Sequence, residues 1–322
     1  MDYAAIRALI AADLSATDQL VRTNLHSDVA LINDISSYII DAGGKRIRPV
    51  LAILTARALG YDQDKHTLLA AIIELIHTAT LLHDDVVDNS ALRRGKATAN
   101  SMWDNTASVL CGDFLYSRAF QLMVKLDQRA ILQILADASN RIAEGEVLQL
   151  QNCHKPEITV DSYMQTIRGK TATLFAASME IAGIIADKPE LQKALNKAGT
   201  CIGVAFQIID DVMDYTSDSN DMGKKVGDDL AEGKATLPLI YAMQTSNSQD
   251  SQIIADAIIK GDSSQISKIQ TILNQCGALE QAKQTAVEQV QIAKDLLSKH
   301  LPANDYSQAL LSLCDLAVQR TN

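Results

Sequence analysis

Aromatic residues make up only 4% of this chain, and proline occurs at five positions alone: Pro49, Pro156, Pro189, Pro238 and Pro302. Stretches that alternate apolar and polar residues, as a half-buried strand would, are scarce. A sheet architecture therefore has little to build on, and few prolines stand in the way of long helices. The five cysteines, Cys111, Cys153, Cys201, Cys276 and Cys314, form no CxxC pair. That pattern argues against zinc clusters and redox dithiols and for reduced thiols. Basic residues are too few to match the acids, leaving a net charge of −10. General nucleic-acid binding, which needs a basic surface, is disfavoured, and so is attachment to an anionic membrane. The stretch MDYAAIRALIAADLSATDQL carries Asp2, Arg7 and Asp13 and lacks the basic-then-apolar layout of a signal peptide. The apolar stretch 68–83 is interrupted by Glu74 and His77 and falls short of the ~20 apolar residues that span a bilayer. The expectation is a soluble, cytoplasmic protein with no transmembrane segment.

Alanine, leucine and isoleucine dominate instead, within a hydrophobic content of 47%. Apolar residues recur at three- and four-residue spacing. This predicts helices over 2–23, 27–42, 49–59, 65–89, 99–125, 128–153, 160–185, 190–217, 234–245, 250–259, 263–275, 278–299 and 305–318. The breaks fall at glycines, prolines and polar clusters. No linker, repeat or low-complexity tract divides the chain, so one all-α domain over 1–322 is the simplest account. The helix ending around Asp88 is apolar almost all round, as is KAGTCIGVAFQIIDDVMDY at 197–215; both belong in an interior.

Both of these helices end in DDxxD: Asp84, Asp85 and Asp88 in one, Asp210, Asp211 and Asp214 in the other. Acids four apart share a helix face and repel, and a helix C-terminus disfavours anions further. A hard cation would relieve both penalties, and Mg2+ suits carboxylates supplemented by water and phosphate oxygens. A solvated acidic helix end is the plainer reading of either copy alone; two copies on very apolar helices weaken it. At ~100° per residue, Ile76, His77, Thr80, Asp84 and Asp88 fall on one stripe. Gly203, Phe206, Gln207, Asp210 and Asp214 form another. Were the stripes to face each other, they would enclose a cleft with metal at its mouth and hydrocarbon below. Such a cleft suits a diphosphate head on an apolar tail.

Basic residues follow the same theme. Arg93 and Arg94 come after the first aspartates across a short turn, and guanidinium forks match phosphate oxygens. GGKRIRP at 43–49 sets Lys45 and Arg48 before a helix starting near Pro49, a second phosphate site if not simply a solvated basic turn. Lys170-Thr171 and the pair Lys224 and Lys234 complete the set. Residues 210–234 hold eight acids against three bases, which reads either as an acidic loop or as a lid ordered by metal and phosphate. GDDLAEGKAT has the wrong spacing for a nucleotide-binding P-loop, and no strand precedes it. His26, His66, His83, His154 and His300 lack metal-like partners in the sequence.

GGKRIRP, LLHDDVVDNSALRRGK, GDFLYSRAF, KTATLF and FQIIDDVMDYTSD followed by GKKVGDDLAEGKATLPL together resemble the trans-isoprenyl diphosphate synthases. The likeness runs in the family's order over essentially the whole chain and looks nearest to bacterial octaprenyl diphosphate synthases, which make a ubiquinone or menaquinone side chain. The resemblance implies an all-α isoprenoid-synthase fold, an antiparallel helical bundle around a deep central cavity, and a homodimer. It implies that Asp84, Asp88 and Asp210 ligate Mg2+, with Asp85, Asp211 and Asp214 in support. Arg93, Lys170, Thr171, Gln207, Lys224 and Lys234 would hold the allylic diphosphate, and Arg93 and Lys170 would join the metal ligands in catalysis. Lys45, Arg48, His77 and Arg94 would hold isopentenyl diphosphate. Ile76, Ala79 and Thr80 would bear on product length, the small Ala79 and Thr80 leaving the tunnel open for a long chain. A terpene cyclase of this fold would carry one DDxxD only, and a non-catalytic subunit would have lost motif aspartates; this chain keeps all six.

Overall fold

A computed structural model describes residues 1–216 and 226–319. The chain opens with α1 (Tyr3–Leu9), α2 (Ala11–Leu25), α3 (Ala30–Asp41), α4 (Ile47–Ala58) and α5 (Lys65–Val87). A hairpin of β1 (Leu92–Arg93) and β2 (Lys96–Ala97) leads to α6 (Ala99–Met102), α7 (Asn105–Lys125) and α8 (Arg129–Asn152). Next, α9 (Val160–Ile167) passes through a π-helical turn, Arg168–Ala172, into α10 (Thr173–Ile185), and α11 (Gln192–Thr216) follows. The rest comprises α12 (Asp228–Ala231), α13 (Leu237–Thr245), α14 (Ser248–Lys260), α15 (Ile266–Gln275), α16 (Ala278–His300) and α17 (Asp305–Val318). The chain is all-α as expected: among the described residues, the two-residue hairpin is the only strand pair.

Several helix ends differ from the sequence expectation for identifiable local reasons. The first helix breaks at Ile10, whose backbone (φ −118°, ψ 25°) leaves the helical range. The helix expected over 99–125 is interrupted at Trp103, and Asp104 restarts it by accepting the Ala107 amide at 2.7 Å. Helix α4 begins at Ile47, because Arg46 adopts a left-handed backbone (φ 53°). Pro49 thus lies inside the first turn, where its missing amide has no helical partner to lose.

The described chain divides into two compact units. Unit 1 comprises 1–139, 174–199 and 296–313; unit 2 comprises 140–173, 200–295 and 314–322. Within unit 1, α5 packs against α2, α4 and α7. Its Leu69, Ile72, Ile73, Leu75 and Ile76 are fully buried, as are Leu51 and Leu54 of α4 and Leu115 of α7. Each such side chain contributes about 1.5–3 kcal/mol relative to exposure. Helix α5 falls within the 65–89 expected from sequence, and by length and composition it could cross a membrane; 72% of its apolar window is buried within the protein. Within unit 2, α13, α14 and α15 pack together around Leu239, Ile254, Ile258, Ile269 and Leu273. The fully buried Tyr215 pins the last turn of α11: its carbonyl accepts from Gln270 at 2.9 Å and its hydroxyl lies 3.2 Å from that of Thr236.

Candidate active site

The first acidic motif closes α5. The Asp88 amide donates to the Asp84 carbonyl at 2.8 Å, so helical hydrogen bonding reaches the motif's last residue and keeps Asp84 and Asp88 one turn apart. Asp85 points inward and is 1% exposed. Arg93 grips it, with Nη2 2.7 Å from Oδ1 and Nε donating to both oxygens at 2.9 and 3.1 Å. The hairpin delivers that arginine. Its turn residues, Arg94 (φ 53°) and Gly95 (φ 74°), both take the left-handed backbone that a two-residue hairpin loop requires. Arg94 then lies against Gly44, where an added Cβ would come within 2.6 Å of Arg94 Nη1. Only a residue without a side chain permits that approach.

Arg48, in the first turn of α4, places Nη1 3.1 Å from His77 Nε2 and its guanidinium carbon 4.5 Å from the centre of the Phe175 ring. Burial, reinforced by the charges of Arg48 and Arg94, holds His77 well below the usual histidine range. The imidazole is therefore neutral at pH 7. Because Arg48 can only donate, Nε2 accepts and the ring proton sits on Nδ1. Lys45 is exposed, and its carbonyl accepts the Tyr3 hydroxyl. Ile76 and Ala79 are fully buried, while Thr80 is partly exposed and ties its hydroxyl to the His77 carbonyl at 2.7 Å.

Unit 2 holds the remaining described candidates. Lys170 and Thr171 lie in the π-helical turn, a local widening often found at functional positions. The turn abuts α8 at Gly145, where a Cβ would meet the Lys170 amide nitrogen at 2.3 Å. Lys170 Nζ is 2.7 Å from Glu146 Oε2. A hydrogen-bond chain runs from the Thr171 hydroxyl to Gln207 Oε1 (2.9 Å), and from Gln207 Nε2 to Asp211 Oδ1 (2.7 Å). The Tyr163 hydroxyl donates to the other oxygen of Asp211 at 2.6 Å. Asp214 accepts the Asp228 and Asp229 amides at 3.2 and 3.3 Å. Asp210 is exposed. Lys234 pairs with Glu232, and Lys224 lies outside the described residues.

Burial and the nearby charge of Asp229 push the Asp214 carboxyl up to about 9, and the same two causes carry Asp211 well above the carboxylate range. Acids raised in this way favour the neutral form, and a nearby cation would draw them back toward the charged one. Asp84 and Asp88, one turn apart at the end of α5, fit an ion that takes few protein carboxylates and fills its shell with water and phosphate oxygens, as Mg2+ does. Tyr163, Glu146 and Arg46 were not legible as site neighbours from sequence, and neither was the π-helical turn around Lys170, which has no hydrophobic period of its own.

A family model described as polyprenyl synthetase matches residues 29–276. Over 322 residues the chain is 48% identical to the octaprenyl diphosphate synthase of Escherichia coli (strain K12), covering 99% of each. It is 47% identical to the all-trans-nonaprenyl-diphosphate synthase (geranyl-diphosphate specific) of Rhodobacter capsulatus, covering 98% of this chain and 97% of that one. The polyprenyl synthase of Caulobacter crescentus CB15, solved with calcium and isoprenyl diphosphate, superposes with a TM-score of 0.96 at 41% identity, covering 100% and 98%. With the all-α isoprenoid-synthase fold, both acidic motifs and a family match over most of its length, this chain belongs to the polyprenyl synthetase family and is a trans-prenyl diphosphate synthase, a transferase.

Proposed function

We propose that this enzyme condenses isopentenyl diphosphate repeatedly onto an allylic diphosphate, starting from farnesyl diphosphate, and releases all-trans-octaprenyl diphosphate for a quinone side chain. The observation that carries this reading is the coexistence of two complete acidic motifs with a separate basic set, Lys45, Arg48 and Arg94 beside a neutral His77. A cyclase has no second diphosphate for such a set to hold. The family match takes residues from both units, which supports treating 1–322 as one synthase domain. We assign it to the cytoplasm as a homodimer.

In this reading Lys45, Arg48 and Arg94 bind the isopentenyl diphosphate oxygens, and His77 offers its Nδ1–H. Arg93, Lys170, Thr171, Gln207, Lys224 and Lys234 hold the allylic diphosphate, and Asp84, Asp88 and Asp210 hold Mg2+ with Asp85, Asp211 and Asp214 supporting them. Bound Mg2+ supplies positive charge that makes the diphosphate a better leaving group. The fixed cations hold that group as the allylic carbon becomes cationic, and the isopentenyl double bond attacks. The proton released then passes to the departing diphosphate, since no side-chain base is assigned. Apolar surroundings keep water from quenching the cation.

The octaprenyl length rests on the 48% identity to the Escherichia coli enzyme. A second reading, the same chemistry with another length, is favoured by the similar identity to the nonaprenyl synthase. Purified protein with Mg2+, farnesyl diphosphate and labelled isopentenyl diphosphate should give a ladder ending at the octaprenyl product once dephosphorylated. A different end point would overturn the length alone; no elongation from any allylic primer would overturn the synthase reading. Ala79 is fully buried, so Ala79→Tyr should block the tunnel and shorten the product. An unchanged product would remove Ala79 from the tunnel.

A further inference from the structure

Glu74 has no role in the assignments above, yet it lies among their charges. It sits on α5 one turn before His77 and is only 7% exposed. One oxygen, Oε1, is gripped by Arg46, whose guanidinium also lies 3.8 Å from Asp18. The other, Oε2, is buried with no hydrogen-bond partner among the described residues. Arg46, Arg48 and Arg94 all act on this carboxylate electrostatically, although burial outweighs them and leaves Glu74 above the usual range. Arg46 thus touches this buried acid, and Arg48 meets His77 one turn further along the same helix. Guanidinium groups that share one region repel unless a counter-charge holds them, and a carboxylate kept half-satisfied costs free energy that a plain internal ion pair would avoid.

We propose that Glu74 is a positioning residue for isopentenyl diphosphate: it is the internal counter-charge that keeps Arg48 and Arg94 in the arrangement that receives the diphosphate, while Arg46 is drawn inward. The inference rests on the assignment of Arg48, His77 and Arg94 to that substrate. Glu74 does not touch the substrate. Without it the guanidinium groups spread apart, and the incoming diphosphate must reassemble them. The allylic diphosphate residues make no such demand on Glu74.

Steady-state kinetics on the full chain test this. Glu74→Gln keeps the shape and removes the charge. The KM for isopentenyl diphosphate should rise roughly tenfold or more, with the KM for farnesyl diphosphate unchanged and kcat little altered. Glu74→Asp, which restores the charge on a shorter stem, should fall between. Pairing Glu74→Gln with Arg46→Met separates positioning from mere satisfaction of Arg46. The raised KM should persist in the double variant, and its return to the parent value would overturn the proposal. So would equal rises for both substrates, or no rise at all. Arg48→Ala is the control. If it raises the isopentenyl diphosphate KM while Glu74→Gln does not, the positioning role alone fails. If Arg48→Ala leaves that KM unchanged, the substrate assignment fails and the proposal with it.

Discussion

The same three-acid spacing ends α5 in unit 1 and α11 in unit 2, and the middle acid of each is held differently. Asp85 is met by the charged fork of Arg93 at 2.7 Å, whereas Asp211 is met by the neutral donors Tyr163 at 2.6 Å and Gln207 at 2.7 Å. The last acids differ as well. Asp88 is the C-cap of its helix, while Asp214 is buried and receives two backbone amides from the turn that opens α12. Identical sequence spacing therefore yields one motif whose inner acid is paired with a base and one whose inner acids are raised by burial and by the charge of Asp229.

The largest expected effect is on activity. Chelation of divalent cations should abolish elongation, and added Mg2+ should restore it; elongation that persists in chelator would contradict the metal assignment for both motifs. Next in size is the stability difference between the two inner acids. Arg93→Ala leaves Asp85 buried without that base and should cost about 3–5 kcal/mol. Tyr163→Phe removes one donor from Asp211, which keeps Gln207, and should cost about 1–3 kcal/mol. Denaturant unfolding of the two variants would break the comparison if the order reversed.

Much of this architecture was legible from hydrophobic period alone. The interior helices ending in Asp84–Asp88 and Asp210–Asp214 announce themselves as apolar runs closed by acids, because burial and helix geometry leave that imprint on sequence. What holds the acids was not legible. Arg93 reads equally well as a phosphate ligand or as the partner of Asp85, and only the hairpin's turn geometry aims its side chain. Tyr163 is 48 residues from Asp211, and no local pattern links them. The π-helical turn at Arg168–Ala172 changes the hydrogen-bond register without changing the apolar pattern, so 160–185 reads as one plain helix. Glu74 reads as an interruption of an apolar run, and its partner Arg46 comes from outside its own helix.

A smaller effect sharpens the contrast between acids held by bases and acids held by neutral donors. Asp13 of α2 belongs to the first kind. Burial would raise its carboxyl, but hydrogen bonds from Arg57 (2.7 and 2.8 Å) and His66 outweigh it and leave Asp13 lowered. A lowered acid adds stability above its unfolded value, near 4, and loses it as pH falls through the folded value. Asp13→Asn should therefore be less stable than the parent at pH 7, with the gap closing below pH ~4. A gap that stays constant with pH would show that Asp13 acts through packing. His66 is itself lowered by burial, despite Asp13. Its contribution is complete above its unfolded value of ~6.5 and is lost as pH falls toward the folded one, so both groups weaken the fold on acidification.

The central claim is that the two motifs, differently built, serve one metal-dependent reaction. Its most direct test is elongation by Asp84→Ala, Asp210→Ala and the double variant at saturating Mg2+ and substrates. Ligands of a single catalytic assembly are strongly non-additive. Each single variant should lose at least ~1,000-fold in kcat, and the double should be no worse than the weaker single. Losses that multiply, or an Asp210→Ala enzyme that elongates at the parent rate, would contradict the account.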